Sequence, residues 1–262
     1  MHPLDGARER LKRADEDIRD LERAIAEFLA PVPVVTWTVE GSEPIVTDEN
    51  RKAFEELRKF IDGPVNLKFR VLAGEIIHHL RSCFDHLAWE LSSPGFRANP
   101  DSAREIQFPI YDKHPKPCGI TRKQMCGYCR KVEGIASASA LARIDSLQPY
   151  WASNPTRHPL WLIHNMDIID KHRELKMANY IANLNINGEV RVTGVGRQMP
   201  WELRPRNVLI LDVPQVDMKA KMFAQVTFSE FSGPGDESII PTLQTLLRFT
   251  SDKIESFAIE FP

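Results

Sequence analysis

The chain has 262 residues, of which 42% are hydrophobic and 27% are charged, a composition typical of a folded globular protein. Its 34 Lys and Arg residues nearly balance 36 Asp and Glu residues, so the formal net charge is -2. Binding duplex nucleic acid by charge alone needs a basic excess, so we expect no strong duplex DNA binding. No apolar run approaches the roughly 20 residues that cross a bilayer, and no signal peptide is visible. We therefore expect a cytoplasmic protein with reduced cysteines and no membrane partner.

Apolar residues repeat at helical spacing from Leu4 to Phe28. This stripe predicts an amphipathic helix that packs against another helix, either in the same chain or in a second copy. β-Branched residues over Val34–Val39 predict a strand. Further helices are predicted over about residues 48–61 and 65–92, and the second of these carries a long apolar stripe.

Prolines punctuate residues 94–132, which predicts a long ordered loop. Helices are expected after this loop, over about Ser137–Ser146 and Leu160–Met177. Apolar residues then recur at every second position, which predicts strands. The pair Asn187-Gly188 predicts a tight turn between two of these strands. Two further strands are expected at Asn207–Val213 and Lys221–Ser229.

These elements predict an α+β fold in a single domain over residues 1–262. We expect a mainly α-helical bundle with an antiparallel β-meander, about residues 178–232, inserted before the C-terminal helix. The helical segments of the bundle are predicted at about residues 1–30, 48–93, 137–177 and 238–259.

Two of the predicted helices carry polar side chains in stripes that follow helical spacing. If the two helices pack together, these side chains form one polar cluster. An unpaired buried charge costs several kcal/mol, so such a cluster needs internal partners or a function. Its members are His78, His79, Ser82, Cys83, Asp85, His86, Trp89 and Glu90 on the first helix, and His164, Asp167 and Lys171 on the second.

Arg81 and His86 form an Arg-x4-His pair near the middle of the first of these helices. With this pair the chain resembles the HEPN superfamily, helical-bundle proteins that often act as metal-independent ribonucleases. The resemblance implies a site shared by two protomers of a homodimer. In that site Arg81 holds the scissile phosphate, and His86 acts in acid–base transfer as the ribose 2′-OH attacks.

The resemblance also implies that Asp85 orients a neighbouring side chain. Supporting residues are then expected to be His78, His79, His164, Asp167 and Lys171. The leading hypothesis is a metal-independent ribonuclease or RNA-binding protein of a defence or toxin system, with RNA as partner and no required cofactor.

A second resemblance, to a family of uncharacterised bacterial proteins, covers more of the chain. It rests on residues 85–91, 107–110, 147–150 and 170–173. No activity follows from this resemblance. It implies only that the two polar helices belong to one structural unit.

Two alternatives to a ribonuclease stay open. In the first, the polar cluster is an interhelical ion-pair network, such as Asp85 with Lys171 or Arg173, in a non-catalytic helical protein that binds a partner. In the second, Glu75-x2-His78 belongs to a metal-binding bundle. The further ligands of that metal would come from His79, His86, His164 and Asp167.

Four residues of the loop have the side chains that bind zinc: His114, Cys118, Cys126 and Cys129. Imidazole and thiolates bind Zn²⁺ tetrahedrally, and Cys-x2-Cys is a common half-site. A loop with little regular structure would gain stability from a metal ion. The sequence thus allows a structural zinc site, with unligated cysteines in a surface loop as the alternative.

Overall fold

The computed structural model describes residues 2–40, 43–45, 47–115, 125–173, 175–185, 190–191, 218–228 and 238–261. The longer helices are α1 (Asp5–Leu29), α2 (Asp48–Ile61), α3 (Leu67–Leu91), α7 (Ala138–Ser146), α8 (Pro159–His172) and α9 (Ile239–Ser256). The short helices are α4 (Pro94–Ala98), α5 (Pro100–Ala103) and α6 (Gly127–Val132). The strands are β1 (Val35–Glu40), β2 (Glu43–Ile45), β3 (Met177–Asn185), β4 (Val190–Arg191) and β5 (Met218–Phe228).

Mainly helical structure with an antiparallel sheet confirms the predicted α+β fold. The chain divides into two compact units. The helical unit consists of Met1–Leu21, Val71–Leu175 and Ile240–Pro262, and the sheet unit consists of Glu22–Arg70 and Lys176–Ile239. The single domain over residues 1–262 stays a prediction. None of the described helices is both long enough and apolar enough to span a membrane.

The apolar stripe of α1 is buried from Leu4 to Leu21, the part that belongs to the helical unit, where α1 packs against α3 and α9. The Sγ atom of Cys83 on α3 donates a hydrogen bond of 3.5 Å to the carbonyl of Ala7, and burial raises the pKa of this thiol to about 12. Arg8 of α1 binds both carboxylate oxygens of Glu255 on α9, each at 2.8 Å. The partner helices that the stripe requires are therefore in the same chain.

The predicted loop over residues 94–132 is wrong in part, because it contains the short helices α4, α5 and α6. Ser93 caps α4 by accepting a hydrogen bond from Phe96 N, and Asn99 caps α5 in the same way. Pro94 and Pro100 follow these caps in the first turn, where a proline lacks no helical hydrogen bond. Residues 116–124 lie outside the described residues.

The helix predicted over Leu160–Met177 is shorter in the structure. It ends at His172, and Met177 is the first residue of β3. Lys171 and His172 in the last turn suit the negative end of the helix dipole. Pro159 at the first turn and His158 as N-cap account for its start.

The sheet of the second unit has the strand order β2-β1-β5-β3-β4, and every pairing is antiparallel. β1 and β2, which precede α3 in the chain, also belong to this sheet. They come in addition to the strands of the predicted meander. Asn179 on β3 donates hydrogen bonds to the carbonyls of Phe60, at 2.8 Å, and Gly63, at 3.0 Å, and so fixes the end of α2. The predicted turn at Asn187-Gly188 and strand at Asn207–Val213 lie outside the described residues.

Candidate functional site

A cleft of about 380 Å³ lies among α1, α3 and α8 in the helical unit. Its side chains supply imidazoles, carboxylates and one guanidinium. The lining residues are Arg13, Asp17, Gly74, Glu75, His78, His79 and Asp170. Helices α3 and α8 are therefore side by side, as the two polar stripes require.

The first polar group of the cleft pairs His78 with Asp167 of α8. The Nδ1 atom of His78 is 3.1 Å from Oδ1 of Asp167, and Lys171 Nζ is 2.6 Å from Oδ2. Only 5% of the Asp167 side chain is exposed, against 56% of His78. A buried carboxylate with two charged or polar partners holds an imidazole in a defined orientation at the protein surface.

The second polar group pairs His79 with Asp17 of α1. The Nε2 atom of His79 is 3.8 Å from Oδ2 of Asp17, and Arg13 Nη2 is 3.0 Å from Oδ1. Burial lowers the pKa of His79 from its ordinary value of 6.5, against the opposing charge of Asp17. This imidazole is therefore neutral at neutral pH and able to accept a proton.

Asp17 was not among the predicted site residues, although its position in α1 indicates a buried side chain. It lies three residues after Ala14 and four before Leu21, which is the spacing of the buried stripe, and only 3% of it is exposed. A carboxylate at an apolar position of a helix indicates a buried partner. Asp170 was also missed, and its approach to α3 depends on Gly74, which sequence spacing does not reveal.

Arg81 and Asp85 form a compact network with the segment at Phe108. Arg81 donates to Oδ1 of Asp85 at 2.7 Å and to the carbonyl of Phe108 at 3.1 Å. The same Asp85 oxygen accepts a hydrogen bond of 2.9 Å from Phe108 N. Arg81 is only 5% exposed, so its guanidinium ties α3 to the segment at Phe108 and is not presented to solvent.

His86 points toward another element. Its Nε2 atom donates to the carbonyl of Pro3 at 3.1 Å, and a Cβ at Gly6 would be 2.8 Å from the same nitrogen. Arg81 and His86 therefore contact different segments, and the structure does not bring them together in the cleft. Their expected catalytic roles, with Asp85 as the orienting residue, stay predictions from the resemblance.

His164 of α8 lies close enough to Arg81 and Lys131 for their charges to act on it. Burial lowers its pKa to about 4, and these two cations add to the effect. Its Nδ1 atom is buried and has no hydrogen-bond partner among the described residues. The ring is thus a neutral, mostly buried imidazole beside two cations.

The residues proposed for zinc have other contacts in this structure. The His114 ring lies against Tyr150 and Trp151, and Cys126 Sγ accepts a hydrogen bond from Cys129 N as the N-cap of α6. Cys129 is disulfide-bonded, so the expectation of reduced cysteines fails for it, and zinc would require its reduced form. Cys118 lies outside the described residues. In the part of the chain that is described, no three His, Cys, Asp or Glu side chains are arranged to hold a metal ion.

Comparison with protein-family models, with curated proteins and with solved structures finds no match for this chain.

Proposed function

We propose that the protein is a metal-independent ribonuclease in which His78 and His79, and not Arg81 and His86, carry out acid–base catalysis. One observation carries the proposal: two neighbouring imidazoles line one cleft, and each lies beside an almost fully buried aspartate from a different helix. The homodimer, a role in defence or a toxin system and the cytoplasmic location belong to the proposal as expectations. The HEPN resemblance rests on Arg81 and His86, so it does not support this choice of catalytic residues.

The chemistry requires one group that accepts a proton and one that donates a proton. Neutral His79 takes the proton of the ribose 2′-OH, and the 2′-oxygen then attacks phosphorus. As the bond to the 5′-oxygen breaks, His78 acts as the general acid and donates a proton to that leaving oxygen. The products are a 2′,3′-cyclic phosphate and a 5′-hydroxyl, so no redox agent or co-reactant is needed.

Two cations lie near the imidazoles. Arg13 and Lys171 neutralise Asp17 and Asp167, and more than half of each cationic side chain is exposed. Their remaining N–H donors are available to the oxygens of a phosphodiester. Glu75 and Asp170 add negative charge to the same cleft, so we expect substrate binding to rest on further contacts outside it.

The test is cleavage of a labelled single-stranded RNA in EDTA by the wild type and by His78→Ala and His79→Ala. Loss of a general acid or base typically lowers the rate by about 100-fold or more, and we expect this for each variant. His172→Ala is the matched control, because His172 is an exposed histidine outside the cleft. No cleavage by concentrated wild type, or full activity in both cleft variants, would refute the proposal.

A second candidate is the non-catalytic partner-binding protein with a structural polar cluster. It is favoured by the fact that Asp17 and Asp167 already bind Arg13 and Lys171, and that Arg81 is saturated by Asp85 and Phe108. Under this reading, substitutions at these positions lower the free energy of unfolding and there is no activity to lose. Urea denaturation of His78→Ala and His79→Ala, measured beside the cleavage assay, separates the two.

A further inference from the structure

A group of three aromatic rings lies in the helical unit, and none of the three lines the cleft. The His114 ring centroid is 4.9 Å from that of Tyr150 and 5.7 Å from that of Trp151, and the Tyr150 and Trp151 centroids are 5.4 Å apart. Trp151 is 61% exposed and His114 is also exposed. We call these three residues the aromatic platform.

The platform is held in place by buried polar contacts. Gln148 is 1% exposed, accepts a hydrogen bond from Tyr111 N at 3.2 Å and donates to the carbonyls of Pro109, at 2.9 Å, and Ile144, at 3.0 Å. The Tyr150 hydroxyl donates to Asp145 Oδ1 at 2.5 Å. The Tyr150 ring therefore loses little conformational entropy when it binds a ligand.

Two lysines and two further rings adjoin the platform in the chain or contact Tyr111, three positions before His114. Lys113 is exposed and adjoins His114 in the chain. Lys131 Nζ is 5.6 Å from the centre of the Tyr111 ring, and the Tyr128 ring is 6.1 Å from that of Tyr111. Rings interleaved with cations suit a ligand that alternates flat bases with phosphates.

We infer that His114, Tyr150 and Trp151 form a stacking platform for the bases of single-stranded RNA. Base–aromatic stacking tolerates any base, and the neighbouring cations attract the backbone.

The proposal that the ligand is RNA, and not DNA, rests on the proposed function. The proposal that bases stack on these rings is independent of it. The platform also supplies contacts that the acidic cleft lacks. The test therefore measures binding separately from cleavage, by fluorescence anisotropy of a short labelled RNA. The full chain carries His79→Ala, so that bound RNA stays intact.

In that background, Trp151→Ala is expected to weaken RNA binding by about tenfold, the typical effect of removing one stacked base. Trp151→Phe should restore most of the affinity, because a phenyl ring also stacks. Trp89→Ala is the matched control: Trp89 is 38% exposed on α3 and lies over Arg97, outside the platform. It should leave the affinity unchanged.

The inference is overturned if the chain does not bind RNA, or if Trp151→Ala binds as tightly as its parent while remaining folded by circular dichroism. It is also overturned if Trp89→Ala weakens binding as much as Trp151→Ala. Equal, Trp151-dependent binding of single-stranded DNA would support the platform and count only against RNA as the substrate. RNA binding without any cleavage by the wild type would support the platform and refute the proposed ribonuclease.

Discussion

The carboxylate of Asp170 on α8 lies directly against the backbone of α3 at Gly74, and a Cβ at that glycine would be 2.6 Å from Oδ2 of Asp170. A side chain longer than hydrogen fits here only if the Asp170 side chain moves. Gly74 therefore leaves room for a carboxylate of α8 between the helices that carry the two polar stripes.

Gly74→Ala should stabilise the protein less than the roughly 0.5–1 kcal/mol that replacing a helical glycine usually gives, because the added Cβ forces the Asp170 side chain to move. Urea denaturation measures the difference. Gly95→Ala is the control, since a Cβ there would contact nothing within 4 Å. Equal gains in stability from the two variants would show that the Asp170 side chain moves away from α3 without cost.

Asp170→Asn should stabilise the protein at neutral pH. Burial, followed by the charge of Asp167, raises the pKa of Asp170 above its ordinary value of 3.8. The native state therefore holds this proton more tightly than the unfolded chain does, and ionisation of Asp170 costs stability as the pH rises through the raised pKa. The gain from the amide should be absent at low pH and complete at neutral pH, which unfolding curves across that range will test.

Protonation of His164 should destabilise the fold in mild acid. Its pKa falls from 6.5 in the unfolded chain to about 4, because burial and then Arg81 and Lys131 oppose the charged ring. The neutral His164 ring contributes fully to the free energy of unfolding above the unfolded pKa. This contribution, up to about 2 kcal/mol after solvent screening, is lost as the pH falls toward the folded pKa. His164→Gln should flatten this part of the stability profile. An NMR titration showing the ring protonated near its ordinary pKa would contradict the prediction.

Arg81→Ala should cost about 2–4 kcal/mol, because it removes the partner of Asp85 and of the Phe108 carbonyl in a buried network. Arg19→Ala is the matched control, since Arg19 binds Asp15 at the same i,i+4 spacing with both side chains exposed. Exposed pairs of this kind contribute about 0–1 kcal/mol. A loss at Arg81 no larger than that at Arg19 would mean that the network does not hold the Phe108 segment.

Glu75→Gln should strengthen the binding of RNA to the cleft, because it removes one negative charge beside His78 and His79. The effect should be largest at low ionic strength, where the repulsion is least screened. Anisotropy titrations at two salt concentrations measure it. Weaker binding by Glu75→Gln would indicate that the carboxylate itself contacts the ligand.

Much of the helical architecture follows from spacing alone. The stripe from Leu4 to Phe28 identifies α1, and the stripes on the two polar helices correctly indicate that these helices pack together. The prolines at 94 and 100 were more difficult, since a proline both ends one helix and begins the next. Only the capping hydrogen bonds of Ser93 and Asn99 distinguish these cases.

The site was less predictable because helical spacing gives the face of a residue but not its partner. Arg81 and His86 are five positions apart, which leaves them on different sides of α3, where Phe108 and Pro3 bind them. His78 and His79 are candidate site residues because they pair with Asp167 and Asp17, which lie on helices distant in sequence. Such long-range pairs are set by packing, which the spacing of residues along one helix does not reveal.

The Cys83 thiol between α1 and α3 provides a natural reporter of breathing motions in the native protein. With its sulfur fully enclosed and its pKa raised to about 12, it is protected from alkylating reagents as long as α1 remains seated. The rate at which Cys83 is alkylated therefore measures how often α1 detaches from α3, without any engineered probe.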